Sequence, residues 1–264
     1  MSGRQKVYGT EAVVLRRMNL GEADRLLTLF SPDQGKIKAM AKGVRRPGSR
    51  KAGHLEPFTR AKLLLARGRD LDIITQAEAI DLYPDLQHDL TRLGYAAYVV
   101  ELLDRFTVQE GESRSLYDLL VGALSRLSEA SSADALVRYF ELRLLDLVGY
   151  RPELSRCLAC GSEVQPEAQF FSAQAGGVLC PGCGRGRQDA SPVSLAALKV
   201  LRHYQRSPIE EALAPSVSPQ VHGELERLMH DYLTYLLERK LNSPAFLDRI
   251  RQLPARHVKT DLPI

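Results

Sequence analysis

Four cysteines are the residues of this 264-residue chain best suited to chemistry, and all fall in one stretch, Cys157-x2-Cys160 and Cys180-x2-Cys183, with nineteen residues between the pairs. A C-x-x-C turn aims two thiolates at one point, and two such turns brought together by a hairpin of this length make a tetrahedral zinc site. Disulfides or redox dithiols are the other chemistry open to two close pairs. Gly161 and Gly184 beside the pairs, and a polar Met1 to Lys6 with no signal-like apolar run behind it, favour reduced thiols and metal. Four thiolates close the coordination sphere of Zn2+, so the ion is expected to be structural, with no position for a reacting water. Arg151, Arg156, Arg185 and Arg187 can offset the charge of the metallated site. Phe170-Phe171 and Val178-Leu179, turning at Gly176-Gly177, form a small hairpin expected to pack poorly without the metal, so chelation should unfold it.

No other constellation of this kind is present. The sequence has no G-x-x-x-x-G-K-[ST] loop, no H-E-x-x-H and no G-x-S-x-G, and its six histidines are scattered. The expectation is a protein that binds and does not catalyse.

The elements around the cysteines change character along the chain. Val7 to Arg17, Leu26 to Phe30, Lys36 to Val44, Phe58 to Ala66 and Leu71 to Ala79 read as five short strands. In the third, Ile37, Ala39 and Ala41 alternate with Lys36, Lys38, Met40 and Lys42, which places lysines on an outer face. Five strands in about 80 residues fit a small twisted barrel of the oligonucleotide-binding (OB) type. From Leu86 the period becomes helical, through Leu90, Leu93, Ala97, Val100 and Leu103, then Leu116 to Leu127 and Ala133 to Val148. Ser191-Pro192 and Ser218-Pro219 each read as an N-cap followed by proline, opening helices to about Gln205 and Lys240.

The fold expected is α+β and multidomain: an N-terminal OB-fold β-barrel at 1–82, a helical domain in two parts at 83–152 and 191–250 with a four-cysteine zinc ribbon inserted at 153–190, and a tail at 251–264. Charge is divided along the same lines. Residues 1–80 hold 16 Lys and Arg against 8 Asp and Glu, a net +8, while the remainder is net −4. A basic barrel on a mildly acidic body points to a polyanion at one end and protein contacts at the other. No stretch is apolar for long enough to span a membrane, and the expected location is the cytoplasm.

The order and spacing of several strings resemble RecO, the bacterial DNA repair and recombination mediator family, over essentially the whole length. They are Glu11-Ala-Val-Val-Leu15, Gly21-Glu-Ala-Asp-Arg-Leu-Leu-Thr-Leu-Phe30, Gly35-Lys-Ile-Lys-Ala-Met-Ala-Lys-Gly43, Arg45-Arg-Pro, Leu55-Glu-Pro-Phe58, Leu147-Val-Gly-Tyr-Arg-Pro152, the four cysteines with Gly176-Gly177, and Tyr235 to Leu247. The resemblance implies an N-terminal OB barrel, a helical C-terminal domain and, in many members, a zinc ribbon. Some members lack the cysteines, so zinc is not the family's shared chemistry. It implies single-stranded DNA, and also double-stranded DNA, as ligands. Further implied partners are RecR and the tail of the single-strand-binding protein SSB, with RecA and RecF reached indirectly, and a nucleoid-associated location.

Candidate DNA-binding residues are the basic side chains of the barrel: Arg16, Arg17, Lys36, Lys38, Lys42, Arg45, Arg46, Arg50 and Lys51. Phosphates recur along a strand, and a basic groove follows them without reading sequence. Residues 1–80 contain only Tyr8, Phe30 and Phe58 as aromatics, and the two phenylalanines read as core, so phosphate contacts are expected to dominate over base stacking. For an acidic tail, Arg126, Arg138, Arg143, Arg202 and Arg206 of the helical domain are candidates. A zinc-containing RNA-binding or transcription-associated module, and a zinc hydrolase acting on nucleic acid, are the competing readings.

Overall fold

Strict alternation of inward and outward side chains builds the first unit. Its strands are β1 (Val7–Leu20), β2 (Asp24–Ser31), β3 (Gly35–Ala41), β4 (Arg60–Ala66) and β5 (Asp72–Asp81). The computed structural model describes residues 7–108, 111, 113–129, 133–238, 241, 243, 244 and 247. The strands close into a barrel in the order β1-β2-β3-β5-β4, the order of an OB fold. All pairs are antiparallel except a short parallel contact of β3 with β5, Ala39 to Asp72 and Met40 to Ile73. β1 is long because it serves both neighbours, with Val7 to Val13 on β4 and Val13 to Leu20 on β2. A register shift between Val14 and Arg16 turns it from one to the other.

Inside the barrel lie Ala12, Val14, Leu27, Leu29, Ile37, Ala39, Ala41, Leu63, Leu65 and Ile74. The many alanines allow so narrow a barrel to close. The gap left by the brief β3–β5 pairing is covered by the loop that follows β3. There Ala52–Leu55 forms a 3-10 turn that drops Leu55 into the interior, and the Ala79 N–H donates to His54 Nδ1 at 3.2 Å.

The helices are α1 (Pro84–His88), α2 (Leu90–Phe106), α3 (Arg114–Glu129) and α4 (Asp134–Leu147), with α5 (Pro181–Gly184) in the cysteine unit, followed by α6 (Leu195–Arg206), α7 (Ile209–Leu213) and α8 (Pro219–Leu237). Asp89 caps α2 by accepting from the N–H groups of Thr91 and Arg92. This helix is buried on most of its circumference because it packs on the barrel as well as on α3 and α4. Phe30 is core, as expected, but its core is the joint: Val13, Leu15 and Phe30 leave the barrel's outer face to join the helical core, and half-buried Phe58 packs on the same cluster. Tyr117 Oη donates to Glu11 Oε1 at 2.6 Å, and the Ser113 N–H to Pro32 O at 2.9 Å, pinning α3 to the barrel.

The cysteine unit contains β6 (Gln169–Ser172), β7 (Gly177–Leu179) and β8 (Ala190–Val193), in sheet order β7-β6-β8. The hairpin turns at Gly176-Gly177 as expected, with Gly176 at φ +81°. Two expectations are corrected. Ser191-Pro192 opens no helix: both residues pair with β6 as part of β8, and the helix starts at Leu195 with Ser194 as its cap, because the chain first completes the sheet. Nor is the hairpin packed on itself alone. Phe171, Val178 and Val193 are buried in the helical core, Phe171 edge-on to Tyr232 with ring centroids 5.4 Å apart. Ser218 does cap α8, accepting from the Val221 N–H. The expected helix end at Lys240 and the tail at 251–264 lie outside the described residues. Among the described residues no helix is long and apolar enough to cross a membrane.

Candidate metal centre and nucleic-acid interface

Each C-x-x-C segment is shaped by its own backbone. In the first, Cys157 N–H donates to Ser162 O and Gly161 N–H to Cys157 O, both at 2.8 Å, with Gly161 at φ +75°. In the second, the N–H groups of Cys183 and Gly184 both turn back onto Cys180 O, at 3.0 and 2.8 Å. The four sulfurs consequently lie within 4.8 Å of one another and could hold a metal ion. Cys180 N–H also donates to Cys157 Sγ at 3.3 Å. Burial pushes the Cys157 thiol up, but backbone N–H groups of Cys180, Cys160 and Ala159 outweigh it and bring it down to about 6. Hydrogen bonding to Cys180 and Cys160 pushes Cys183 the other way, up to about 12. Without a cation the cluster therefore keeps protons; a divalent ion would let all four sulfurs ionise, which is the donor chemistry of a closed thiolate site. Two close approaches fix the frame. A Cβ on Gly177 would sit 2.3 Å from Glu153 O, and one on Gly184 2.4 Å from Phe170 Cβ.

On the barrel, direct cross-strand partners share a face, so the strand register sorts the candidate cations. Arg16, Thr28 and Lys38 form one outward row across β1, β2 and β3. Lys38 is exposed, and Arg16 keeps 67% of its side chain exposed while pairing with Asp104 Oδ2 at 3.0 Å. Lys42, Arg45, Arg46 and Arg50 are exposed on the loop after β3, and Arg45 Nη1 donates to Gly21 O at 2.9 Å, joining this loop to the β1–β2 turn.

Three candidates stand apart. Lys36 has only 11% of its side chain exposed; its ammonium meets Asp104 Oδ1 at 2.9 Å and donates to Thr107 O at 2.7 Å, so it joins barrel to bundle and has no donor turned to solvent phosphates. Arg17 shares the face of Leu27, opposite to Arg16, and pairs with Glu56, which also holds Arg25. Lys51 Nζ donates to Ile74 O at 3.0 Å and closes the barrel seam. No local pattern marks Asp104 or Glu56 as partners, since each lies more than thirty residues from the arginine or lysine it holds. Met18 and Leu20 were also missed. They are 57% and 40% exposed on the part of β1 that runs beyond Arg17, and alternation continued past Arg17 was the available signal.

These features coincide with a known pair of domains. Residues 5–83 match the family model described as recombination protein O N terminal, and residues 87–245 match recombination protein O C terminal. The chain belongs to the RecO family. It is 43% identical over 250 residues to the DNA repair protein RecO of Roseiflexus sp. (strain RS-1), covering 95% of this chain and 88% of that one. It is 41% identical over 251 residues to the DNA repair protein RecO of Pelotomaculum thermopropionicum, covering 95% of this chain and 97% of the relative.

Within this RecO-family chain the helical arginines divide as well. Arg138 is buried against Glu141, 2.9 Å away, and lines a cavity of about 430 Å3 with Tyr95, Tyr98, Arg227, His230 and Leu247. Arg126 pairs with Glu210 at 2.5 Å beside a small apolar pocket of Leu136, Tyr139 and Phe140. Arg143 pairs with Asp146, Arg202 donates to Leu154 O, and Arg206 lies 3.4 Å from Ser155 Oγ. Burial pushes the Glu141 carboxyl up to about 7, against the pull of Arg138 and the Tyr98 hydroxyl, which donates to Oε1 at 2.5 Å.

Proposed function

We propose that this chain is a recombination mediator in DNA repair that binds single-stranded DNA on its barrel, anneals complementary strands and helps to load RecA on gapped DNA. The observation that carries this reading is the outward row Arg16–Thr28–Lys38 on a closed OB barrel, with Lys42, Arg45, Arg46 and Arg50 at the neighbouring loop. Cations on one face of an OB barrel suit the phosphates of a single strand, and the same contacts would accept double-stranded DNA. The relatives' names agree in assigning DNA repair. RecR and the SSB tail are the proposed direct partners, with RecA and RecF reached through them. The arginine-bordered cavities of the helical domain are the proposed place for an acidic tail with an apolar end.

Zinc is the proposed ion at the four cysteines, in a structural role. A full set of sulfur ligands speaks against metal-assisted hydrolysis, and the role proposed is one of binding without catalysis.

The test is annealing of complementary strands coated with SSB, with and without the protein. Acceleration that disappears in a Lys38→Glu/Arg46→Glu variant is expected. No acceleration, together with tighter binding of RNA than of DNA of equal sequence, would instead establish an RNA-binding module.

A further inference from the structure

The barrel's outer face carries an apolar feature that neither core needs. One pleat beyond the row Arg16–Thr28–Lys38, the register aligns Met18, Leu26 and Met40, and the parallel step from Met40 to Ile73 continues the line onto β5. Met18 is 57% exposed, while Leu26, Met40 and Ile73 are half-buried. None of these four belongs to the barrel interior or to the core shared with the helices.

Cations line one side of this stripe, while on the other the next row is Leu20 and Asp24, with two cations past the end of β3. Arg16 and Lys38 lie about 7 Å away along their strands, and the two past β3 are Lys42 and Arg45, the latter held over the β1–β2 turn by Gly21 O. The nearby carboxylates are engaged: Asp104 by Arg16 and Lys36, and Asp24 by the Gly43 N–H at 2.7 Å. Glu22 stands past the end of the stripe, on the turn. An apolar strip beside a row of cations matches a polymer with apolar faces on one side and anions along one edge, which describes a single nucleic-acid strand.

We infer that Met18, Leu26 and Met40 form the platform on which the bases of a bound single strand lie, with Arg16 and Lys38 alongside and Lys42 and Arg45 past the end of β3 taking phosphates. The inference rests on the reading of the barrel as the strand-binding unit. It supplies the base contact that the shortage of aromatics in the barrel leaves open. A thioether is polarisable and unbranched, makes favourable contacts with aromatic rings, and adapts to any base without selecting among them. Such contacts are weaker than stacking on an aromatic side chain, which suits a protein that must hold a strand and release it to a complement.

The experiment is fluorescence anisotropy of the full chain with two labelled oligonucleotides of equal length, one of dT and one abasic, so that phosphates are matched and bases are not. The wild type is expected to bind dT roughly tenfold more tightly than the abasic strand. Met18→Ser/Met40→Ser is expected to lose that preference, with the abasic affinity and the salt slope unchanged. Both positions are at least partly solvated, and Met18→Leu/Met40→Leu, which keeps the apolar surface, should retain most of the preference. Equal wild-type binding of the two strands, or a serine variant that keeps the dT preference, overturns the platform. So does a wild type that sediments as a dimer and becomes monomeric in the serine variant with DNA affinity intact, since a second copy then covers the stripe. Lys38→Glu/Lys42→Glu separates this from the underlying reading. Weaker binding of both strands with a shallower salt slope upholds the barrel as the strand site whatever happens to the platform, and unchanged binding of both overturns the barrel reading itself.

Discussion

Arg16 and Lys36 meet at one carboxylate: Asp104 Oδ2 is 3.0 Å from the Arg16 guanidinium and Oδ1 is 2.9 Å from Lys36 Nζ. Two barrel cations that look alike in sequence thus have different work. Lys36 is enclosed at the joint with α2, whereas Arg16 spans the same carboxylate and the open face. Lys36→Ala should destabilise the protein by about 1–3 kcal/mol, since Asp104 keeps Arg16 while Thr107 O loses its donor, with DNA affinity of the folded protein unchanged. Lys38→Ala should leave urea unfolding unchanged and lower the salt slope of strand binding by about 0.7. The reverse pattern would exchange their roles.

Chelation should have a limited effect on fold. Phe171, Val178 and Val193 are anchored in the helical core, so the β6–β7–β8 sheet has support that does not depend on a metal. Removing the proposed ion should lower the melting temperature and open Cys160 and Cys183 to thiol reagents, while far-UV circular dichroism keeps most of its helical signal. Loss of the whole helical signal would show that the ion supports the domain and not only its two C-x-x-C segments. Cys157→Ser/Cys180→Ser should retain no bound zinc by metal analysis.

Glycine substitutions in the ribbon should separate sharply. Gly177→Ala places a Cβ 2.3 Å from Glu153 O, a backbone atom with little room to yield, and Gly184→Ala meets Phe170 Cβ at 2.4 Å. Each should cost about 1–3 kcal/mol by overpacking. At Gly182 the nearest atom is Cys180 Sγ at 3.9 Å, and alanine there should be tolerated. Denaturant midpoints of the three variants measure the difference.

Glu141 gives stability a pH dependence of definite sign. Its carboxyl is raised from 4.5 to about 7 by burial, so between those values the folded chain holds a proton that the unfolded chain releases. The contribution is full below pH 4.5 and is lost as pH rises through 7. Glu141→Gln should flatten this part of the curve of unfolding free energy against pH, and an unchanged slope would show the carboxylate ionised throughout. Arg138→Ala should raise the Glu141 carboxyl further, because the cation that pulls it down is gone, and so move the loss of stability to higher pH.

Periodicity was enough to read the barrel strands and the long helices, because Ile37, Ala39 and Ala41 point inward and Leu90 to Leu103 recur at helical spacing for the same local reason that they fold. The four cysteines were legible for a similar cause, their spacing being itself the geometry of the site. What failed depended on distant partners. Ser191-Pro192 carries a good capping signal, but pairing with Phe170 and Phe171 takes precedence over it. The partners of Lys36, Arg17 and Lys51, namely Asp104, Glu56 and Ile74 O, lie far along the chain and leave no local sign. Met18 lies past Arg17, beyond the apolar run of β1, and the pleat that exposes it is set by pairing with β2.

In the proposed function, strand binding by the barrel rests on phosphate contacts at the face of Arg16 and Lys38. It is tested most directly by measuring strand affinity as a function of salt for the wild type and for Lys38→Glu/Arg46→Glu. With about four phosphates neutralised, raising salt from about 50 to about 200 mM should weaken wild-type binding roughly 50-fold, at a slope of about −0.7 per contact. The variant should bind far more weakly and with a shallower slope. A flat salt response in the wild type, or a variant that binds as the wild type does, would place strand binding away from this face.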